Sequence, residues 1–301
     1  MTPGVLITHK NCLDGSLAAV LGRESGVIDQ VIYTDYSTND KLAVMEINAD
    51  RDRPLYIVDM SVSLETADAI NASGRLVILI DHHKTALPLK QYTWANVDTA
   101  KCGSALFYDF LIRNGHEEIV KYEDLVSIVN DHDMWIRKDP RSDNMALLLE
   151  AFGQGWVVNA MEKSADYDHL IGDPKTTQSI IDAMRKNREY YIRKVVSHSS
   201  VVTDSSGNRV AITLCTRHHS EAGHEVVEKT GTDYVILVDS QTRKIGLRSA
   251  GKVDVGEIAG AFGGGGHPGA AGIPGPYYTK YMNWLEMMYP GIEATLLGCS
   301  V

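Results

Sequence analysis

Asp81-His82-His83 stands directly after the uninterrupted apolar run Val77-Ile78-Leu79-Ile80. One carboxylate beside two imidazoles suits a divalent cation and a phosphate. The same grammar occurs twice more. Asp59 follows Leu55-Tyr56-Ile57-Val58, and His9 follows Val5-Leu6-Ile7-Thr8. Further acids lie in His9-Lys10-Asn11-Cys12-Leu13-Asp14-Gly15 and in Asn130-Asp131-His132-Asp133. His9, Asp14, Asp59, His82 and Asp131 are therefore the leading metal-ligand candidates. Asn11, Cys12, Asp81, His83 and Asp133 stand behind them. Mixed imidazole and carboxylate donors suit Mn2+, Zn2+ or Mg2+, with imidazole weighing against Mg2+. Two ions about 3.5–4 Å apart, sharing one carboxylate, would activate a water and clamp a phosphoryl group.

These residues need elements that bring them together. Short apolar runs ended by polar residues read as buried strands of a parallel sheet. Ligands of open α/β sheets bind beyond the carboxyl ends of the strands. Strands are predicted at Val5–Thr8, Val31–Tyr33, Leu55–Val58 and Val77–Ile80, with helices at Ser16–Arg23 and Leu64–Ala72, the latter stopped by Gly74. Helices follow at Ser104–Ile112 and Tyr122–Val129, and only helices from about 140 to 198. The stretch 176–196 reads as a connector between two domains. The α/β pattern then restarts with strands at Val210–Leu214, Tyr234–Val238 and Lys244–Arg248. Helices fall near Glu221–Lys229 and, capped by Asp254, at Val255–Ala261. Gly263-Gly264-Gly265-Gly266-His267 reads as a loop whose amides converge on an anion beside an imidazole.

The chain has 301 residues, enough for one large domain or two ordinary ones. A formal charge of −10 argues against a long nucleic-acid track, so an anionic substrate is expected to be small and drawn by a local cation. Cys12, Cys102, Cys215 and Cys299 form no C-x-x-C pair, which suggests a reducing cytosol. The first residues lack a secretory pattern, and no apolar run is long enough for a membrane span. A cytoplasmic location is expected.

Taken in order, His9 to Gly15, Asp59, Asp81-His82-His83, Asp131 and Gly263 to His267 resemble the DHH phosphoesterase superfamily with its DHH-associated C-terminal domain, in the nano-RNase (oligoribonuclease-like) branch. The resemblance implies an α/β fold: a doubly wound, mostly parallel N-terminal sheet domain and a smaller C-terminal α/β domain, with a cleft between them. The implied boundaries are 1–185 for the catalytic domain, a helical connector at about 174–198, and 199–301 for the substrate-binding domain. Carried over by position, His82, Asp131 and Asp14 would hold one metal, and Asp59 would bridge to a second held also by His9. Asp81 would orient an imidazole, and His83 would touch the substrate phosphate. Arg248, Ser249, Gly264, Gly265, Gly266 and His267 would hold the rest of the substrate. The implied cofactor is a divalent metal, Mn2+ first, as one or two ions, with Mg2+, Zn2+, Fe2+ or Co2+ as alternatives. One departure stands out. The family's H-x-D-x-D-G is here one residue longer with a single acid, leaving Asn11 or Cys12 to complete the first site; a Cys12 thiolate would favour Zn2+ or Fe2+.

The expected function is metal-dependent hydrolysis of short oligonucleotides or small nucleotides by metal-activated water, of the nano-RNase type. Inorganic pyro- or polyphosphate hydrolysis and cyclic-nucleotide phosphodiesterase activity could use the same metal site. A non-catalytic nucleotide-binding regulator is a third reading, motivated by the altered first motif. Carriers of the C-terminal domain such as alanyl-tRNA editing proteins are disfavoured by the Asp-His-His set. Few aromatic residues are present, so His218, His219, His224 and Tyr234 are the candidates for a base platform. The expected partner is a small phosphorylated substrate or short oligonucleotide, with no long duplex and no membrane. A homodimer is left open.

Overall fold

The structure, a computed structural model, describes residues 2–36, 38–49, 52–292 and 295–296. Cys299 lies outside the described residues. Two compact units divide the chain, Met1–Met184 and Arg185–Val301.

The first unit runs β1 (Gly4–His9), α1 (Leu13–Glu24), β2 (Ile28–Thr34), α2 (Asn39–Ala49), β3 (Leu55–Val58), α3 (Leu64–Ser73), β4 (Val77–Asp81) and β5 (Ala95–Val97). The helices α4 (Gly103–Arg113), α5 (Glu123–Asp133), α6 (Pro140–Phe152), α7 (Gln154–Lys163) and α8 (Tyr167–Leu170) follow. Helix α9 (Pro174–Ser197) passes through the unit boundary. All five strands are parallel, in the order β2-β1-β3-β4-β5.

Successive side chains of a strand point to opposite faces, so an all-apolar strand must be covered on both. Leu6, Tyr56, Val58 and Ile80 enter one core with α1, α4 and α5. Their neighbours Val5, Ile7, Leu55, Ile57, Val77 and Leu79 enter a second core with Ala43 and Ile47 of α2 and Ala67 and Ile70 of α3. Burial on both faces fixes the register of the central strands. Thr8 pairs with Val58 and Val58 with Ile80, so His9, Asp59 and Asp81 emerge side by side at the carboxyl edge. Ser63 caps α3 by accepting from the Thr66 amide, and Gly74 ends it in the left-handed region. Among the described residues, no helix is long and apolar enough to cross a membrane.

The second unit contains β6 (Ser200–Thr203), β7 (Arg209–Leu214), α10 (His219–Thr230), β8 (Tyr234–Asp239), β9 (Lys244–Ser249), α11 (Val255–Ala261), β10 (Gly265–His267), β11 (Ala270–Ile273) and α12 (Tyr278–Met288). Its sheet is mixed, in the order β10-β11-β9-β8-β7-β6. Here the expectation for the glycine stretch needs correcting. Gly265, Gly266 and His267 are not a free loop but an edge strand paired antiparallel with β11. The glycines permit this closeness: a Cβ on Gly264 would lie 2.1 Å from the Gly272 carbonyl oxygen, and one on Gly266 would lie 2.5 Å from that of Ala270. The Gly264 amide donates to the Ala259 carbonyl, so it is not available to an anion. Because backbone is the obstacle, Gly264→Ala is expected to destabilise the protein by about 1–3 kcal/mol, the overpacking range. Urea unfolding of the variant against the wild type reads this directly.

Candidate metal centre

Helix α1 starts hard against the end of β1. A Cβ on Gly15 would stand 2.2 Å from the His9 carbonyl oxygen. That closeness carries Asp14 beneath the strand tips, where it is fully buried. Its two carboxylate oxygens accept from the amides of Gly103 and Ser104, each at 2.7 Å. These are the first amides of α4, which have no partner within their own helix and favour an anion.

Asp59 holds the next position. Its backbone is left-handed, φ 60°, a costly conformation for a non-glycine residue. Gly103 lies against it so closely that a Cβ there would fall 2.8 Å from the Asp59 Cα. The carboxylate then faces two ways. Oδ1 lies 3.3 Å from His82 Nε2, while Oδ2 accepts from Cys12 Sγ at 3.4 Å and lies 4.0 Å from His9 Nδ1.

His82 Nε2 is the centre of the arrangement. Around it stand Asp59 Oδ1 at 3.3 Å, Asp133 Oδ2 at 3.4 Å and Asp14 Oδ2 at 3.9 Å. Asp133 Oδ2 is buried and accepts no hydrogen bond. Three carboxylates cannot all be satisfied by one imidazole proton. Burial, with the charge of Asp14 and Asp133 added, pushes the Asp59 carboxyl well above its usual range. Burial and Asp14 likewise push Asp133 up to about 6. Such a set fits a divalent cation: donors from Asp14, His82 and Asp133 lie within 4.8 Å of one another, as do those of His9, Cys12 and Asp59. Burial and the Asp59 charge raise the Cys12 thiol well above its usual range, so without a cation it stays a thiol.

The structure thus gathers His9, Cys12, Asp14, Asp59, Asp81, His82 and His83. Asp131 is not among them. It faces away, accepting from the Lys138 amide at 2.9 Å and the Ser142 hydroxyl at 2.7 Å. Burial would raise its pKa, but these bonds and the Asp139 amide hold it below the usual range. Helix α5 runs on to Asp133, and so turns that carboxylate, rather than Asp131, to the cluster. Asp131→Asn is expected to leave the stoichiometry of any bound divalent cation unchanged while costing about 1–2 kcal/mol of stability through the loop. Elemental analysis together with thermal unfolding distinguishes the two effects. Asn11 is exposed, with a left-handed backbone, and its amide donates to Gln154 Oε1.

Asp81 orients an imidazole, and that imidazole is His83. Its Oδ1 accepts from His83 Nδ1 at 2.7 Å and from the His82 amide at 2.8 Å. Burial alone would lower the His83 pKa, but the hydrogen bond and charge of Asp81 outweigh it and the net shift is upward. Burial lowers that of His9, helped by the His83 charge.

Two residues were missed in the sequence. Gln154, first in α7, donates to the His9 carbonyl and to Ser16 Oγ while accepting from Asn11, clamping the turn that presents His9 and Asp14. A lone glutamine in a helical region gives no signal. Tyr36 follows β2 and puts its hydroxyl 3.1 Å from His83 Nε2; the strand-end rule, extended to β2, would have found it. A recess of about 580 Å³ lies elsewhere on this unit, lined by Lys121, Arg141, Glu162 and Tyr167 among others. There Lys121 is paired with Glu24 and Arg141 with Asp124.

In the second unit, Arg248 donates from Nη1 to the Leu247 carbonyl and from Nη2 to Ser220 Oγ, while its Nε is buried without a partner. Ser249 is otherwise engaged: its hydroxyl donates to the Asp233 carbonyl and accepts from the Gly251 and Val253 amides. It builds a turn rather than presenting a free donor. Tyr234 is buried and bonded to Asp204, so it offers no stacking face. His224 is exposed beside Glu228, and His218 meets Tyr191 edge to face.

Residues 219–289 match the DHHA1 domain family. The match falls within the second unit and covers about a quarter of the chain. The chain is also 28% identical over 242 residues to oligoribonuclease NrnB of Bacillus subtilis strain 168, covering 74% of this chain and 60% of that relative. It therefore spans less than two thirds of that protein's length. Among solved structures, RecJ from Thermus thermophilus in complex with Mn2+ superposes with a TM-score of 0.55 at 16% identity, over 96% of this chain and 53% of that one. The pGpG-specific phosphodiesterase PggH of Vibrio cholerae gives 0.53 at 12% identity, over 94% and 98%. At these identities the likeness is one of fold.

Proposed function

We propose that this protein is a DHH-type, metal-dependent phosphoesterase that hydrolyses short oligoribonucleotides to mononucleotides, in the manner of a nano-RNase. The observation that carries the reading is the convergence of Asp14, Asp59 and Asp133 on His82 Nε2 within 3.9 Å. The relatives named for oligoribonuclease and pGpG phosphodiesterase activities support the substrate class. Asp14, His82 and Asp133 would hold one cation, Asp59 would serve it and a second, and His9 with Cys12 would complete the second. Mn2+ is the first choice. A divalent ion bound here supplies an activated water and neutralises charge on a phosphoryl group.

The chain's own residues do the rest. The α4 amides hold Asp14 in place, and Asp81 fixes the Nδ1 proton of His83 so that Nε2 faces outward. With its pKa raised, His83 stays protonated further into the neutral range and donates to a phosphoryl oxygen. Within the second unit, Arg248, with a buried unpartnered Nε, is the candidate for binding a phosphate. In domain terms, residues 1–184 carry catalysis and 185–301 substrate binding.

The test is a panel with chelator-stripped protein and added Mn2+, Mg2+, Co2+ or Zn2+. Phosphorylated diribonucleotides, cyclic mononucleotides, pyrophosphate, polyphosphate and long single-stranded DNA serve as substrates. Mononucleotide release from diribonucleotides, and little from long DNA, is expected. Tight nucleotide binding with no turnover under any ion would leave a sensor instead.

A further inference from the structure

Tyr36 is not used by the cation site, yet its position is closely set. Parallel pairing of β2 with β1 puts His9 opposite Thr34, so the chain leaving β2 turns beside the metal centre. That turn is tied down. The Lys10 amide donates to the Thr34 carbonyl, Lys10 pairs with Asp35 at 2.7 Å, and the Thr34 and Thr38 hydroxyls bond at 2.7 Å. The amides of Thr38 and Asn39 both donate to the Asp35 carbonyl. Tyr36 therefore leaves a braced backbone.

Its ring lies between the two rim imidazoles. The centroid is 5.8 Å from that of His9 and 5.6 Å from that of His83, the latter edge to face. The hydroxyl lies 3.1 Å from His83 Nε2 and 3.2 Å from its Nδ1. Half of the residue remains exposed, which places it on the open side of the site. Asp81 holds His83 from the other side through Nδ1, so the Tyr36 hydroxyl rests against a fixed ring.

We propose that Tyr36 is a substrate-binding residue whose hydroxyl donates to a non-bridging oxygen of the phosphoryl group held at the cation site. The inference rests on the phosphoesterase reading and extends it to a specific second donor. A phenol hydroxyl on the open side of the site can donate to an anionic oxygen. As the oxygen arrives, the hydroxyl turns from His83 to it. The hydroxyl also sets handedness, because the two non-bridging oxygens of a diester are not equivalent and only one meets it.

The experiment uses Tyr36→Phe, which keeps the ring and removes only the hydroxyl, in the full chain with Mn2+. The expected result is a loss of roughly 10–100-fold in kcat/KM on a phosphorylated diribonucleotide. A sharp fall in the wild type's preference between the Rp and Sp phosphorothioate diastereomers should accompany it, with an unchanged thermal midpoint. A structural role alone would not move the stereochemical preference. Retention of kcat/KM within about twofold, or a loss of rate with the full wild-type preference intact, overturns the proposal. Calorimetric binding of inorganic phosphate to the Mn2+-loaded protein is the second measurement. Weaker binding by Tyr36→Phe supports the assignment and equal binding overturns it. Should the wild type hydrolyse none of the oligonucleotides, the functional reading fails, while the phosphate titration still decides the role of Tyr36.

Discussion

Asp59→Asn is expected to abolish most turnover and yet to raise the melting temperature of the cation-free protein. The two effects share one cause. Asp59 is buried beside Asp14 and Asp133, and burial with these neighbouring carboxylates disfavours ionisation of Asp59 and of Asp133. An amide of the same shape removes one buried negative charge, so the fold is relieved. The same change takes away the carboxylate that faces both candidate cation groups at once. A loss of several kcal/mol of transition-state stabilisation corresponds to about 10³-fold or more in kcat. Steady-state hydrolysis of a diribonucleotide under Mn2+, paired with calorimetric melting of the stripped protein, checks both halves. Full activity in the variant would remove Asp59 from the mechanism; a lowered melting temperature would remove the charge argument.

The second large effect is on stability against pH. Asp59 and Asp133 have raised pKa values in the fold, Asp133 at about 6, whereas unfolded aspartates titrate near 4. Stability from their protonated forms is therefore complete below about pH 4 and is lost as pH rises through 6. His83, also raised, acts in the same direction at higher pH, while His9, lowered, opposes it. Asp81 and Asp131 are lowered and matter only in acid, below the usual carboxylate range. The cation-free protein should thus melt at a higher temperature at pH 5.5 than at pH 7.5. A cation binds the deprotonated carboxylates, so it should reverse this order. Mn2+ at about 100 times its Kd contributes about 2.7 kcal/mol, or roughly 5–10 °C for a domain of this size. Melting curves at both pH values, with and without Mn2+, settle it. An equal rise at both pH values would mean that these carboxylates do not bind the ion.

Much of this was legible in the chain. The apolar runs ending in His9, Asp59 and Asp81 fixed three adjacent strand tips, because strands buried on both faces leave few choices of register. The cap at Asp254 and the stop at Gly74 follow from local rules and occur as expected. What was not legible depends on where a helix ends. Asp131 and Asp133 are two residues apart, which on a helix separates their directions by about 200°. Reading α5 as ending at Val129 left nothing to choose between them; its continuation to Asp133 decides the matter. The four glycines carried a similar ambiguity. Lack of side chains permits an anion-binding loop and close strand packing alike, and only the opposing carbonyls of Gly272 and Ala270 tell which. Gln154 was invisible because its partners lie 138 to 145 residues away.

The bond from Asp14 to the amides of Gly103 and Ser104 spans 89 and 90 residues of sequence. Asp133 joins the same cluster from still further along the chain. Contacts of such long range form late and together, since their loop entropy must be met before they are rewarded. A chain still emerging from the ribosome, with α4 and α5 unmade, has neither the anchor for Asp14 nor the carboxylate of Asp133. Assembly of the carboxylate cluster thus waits until α4 and α5 have been made.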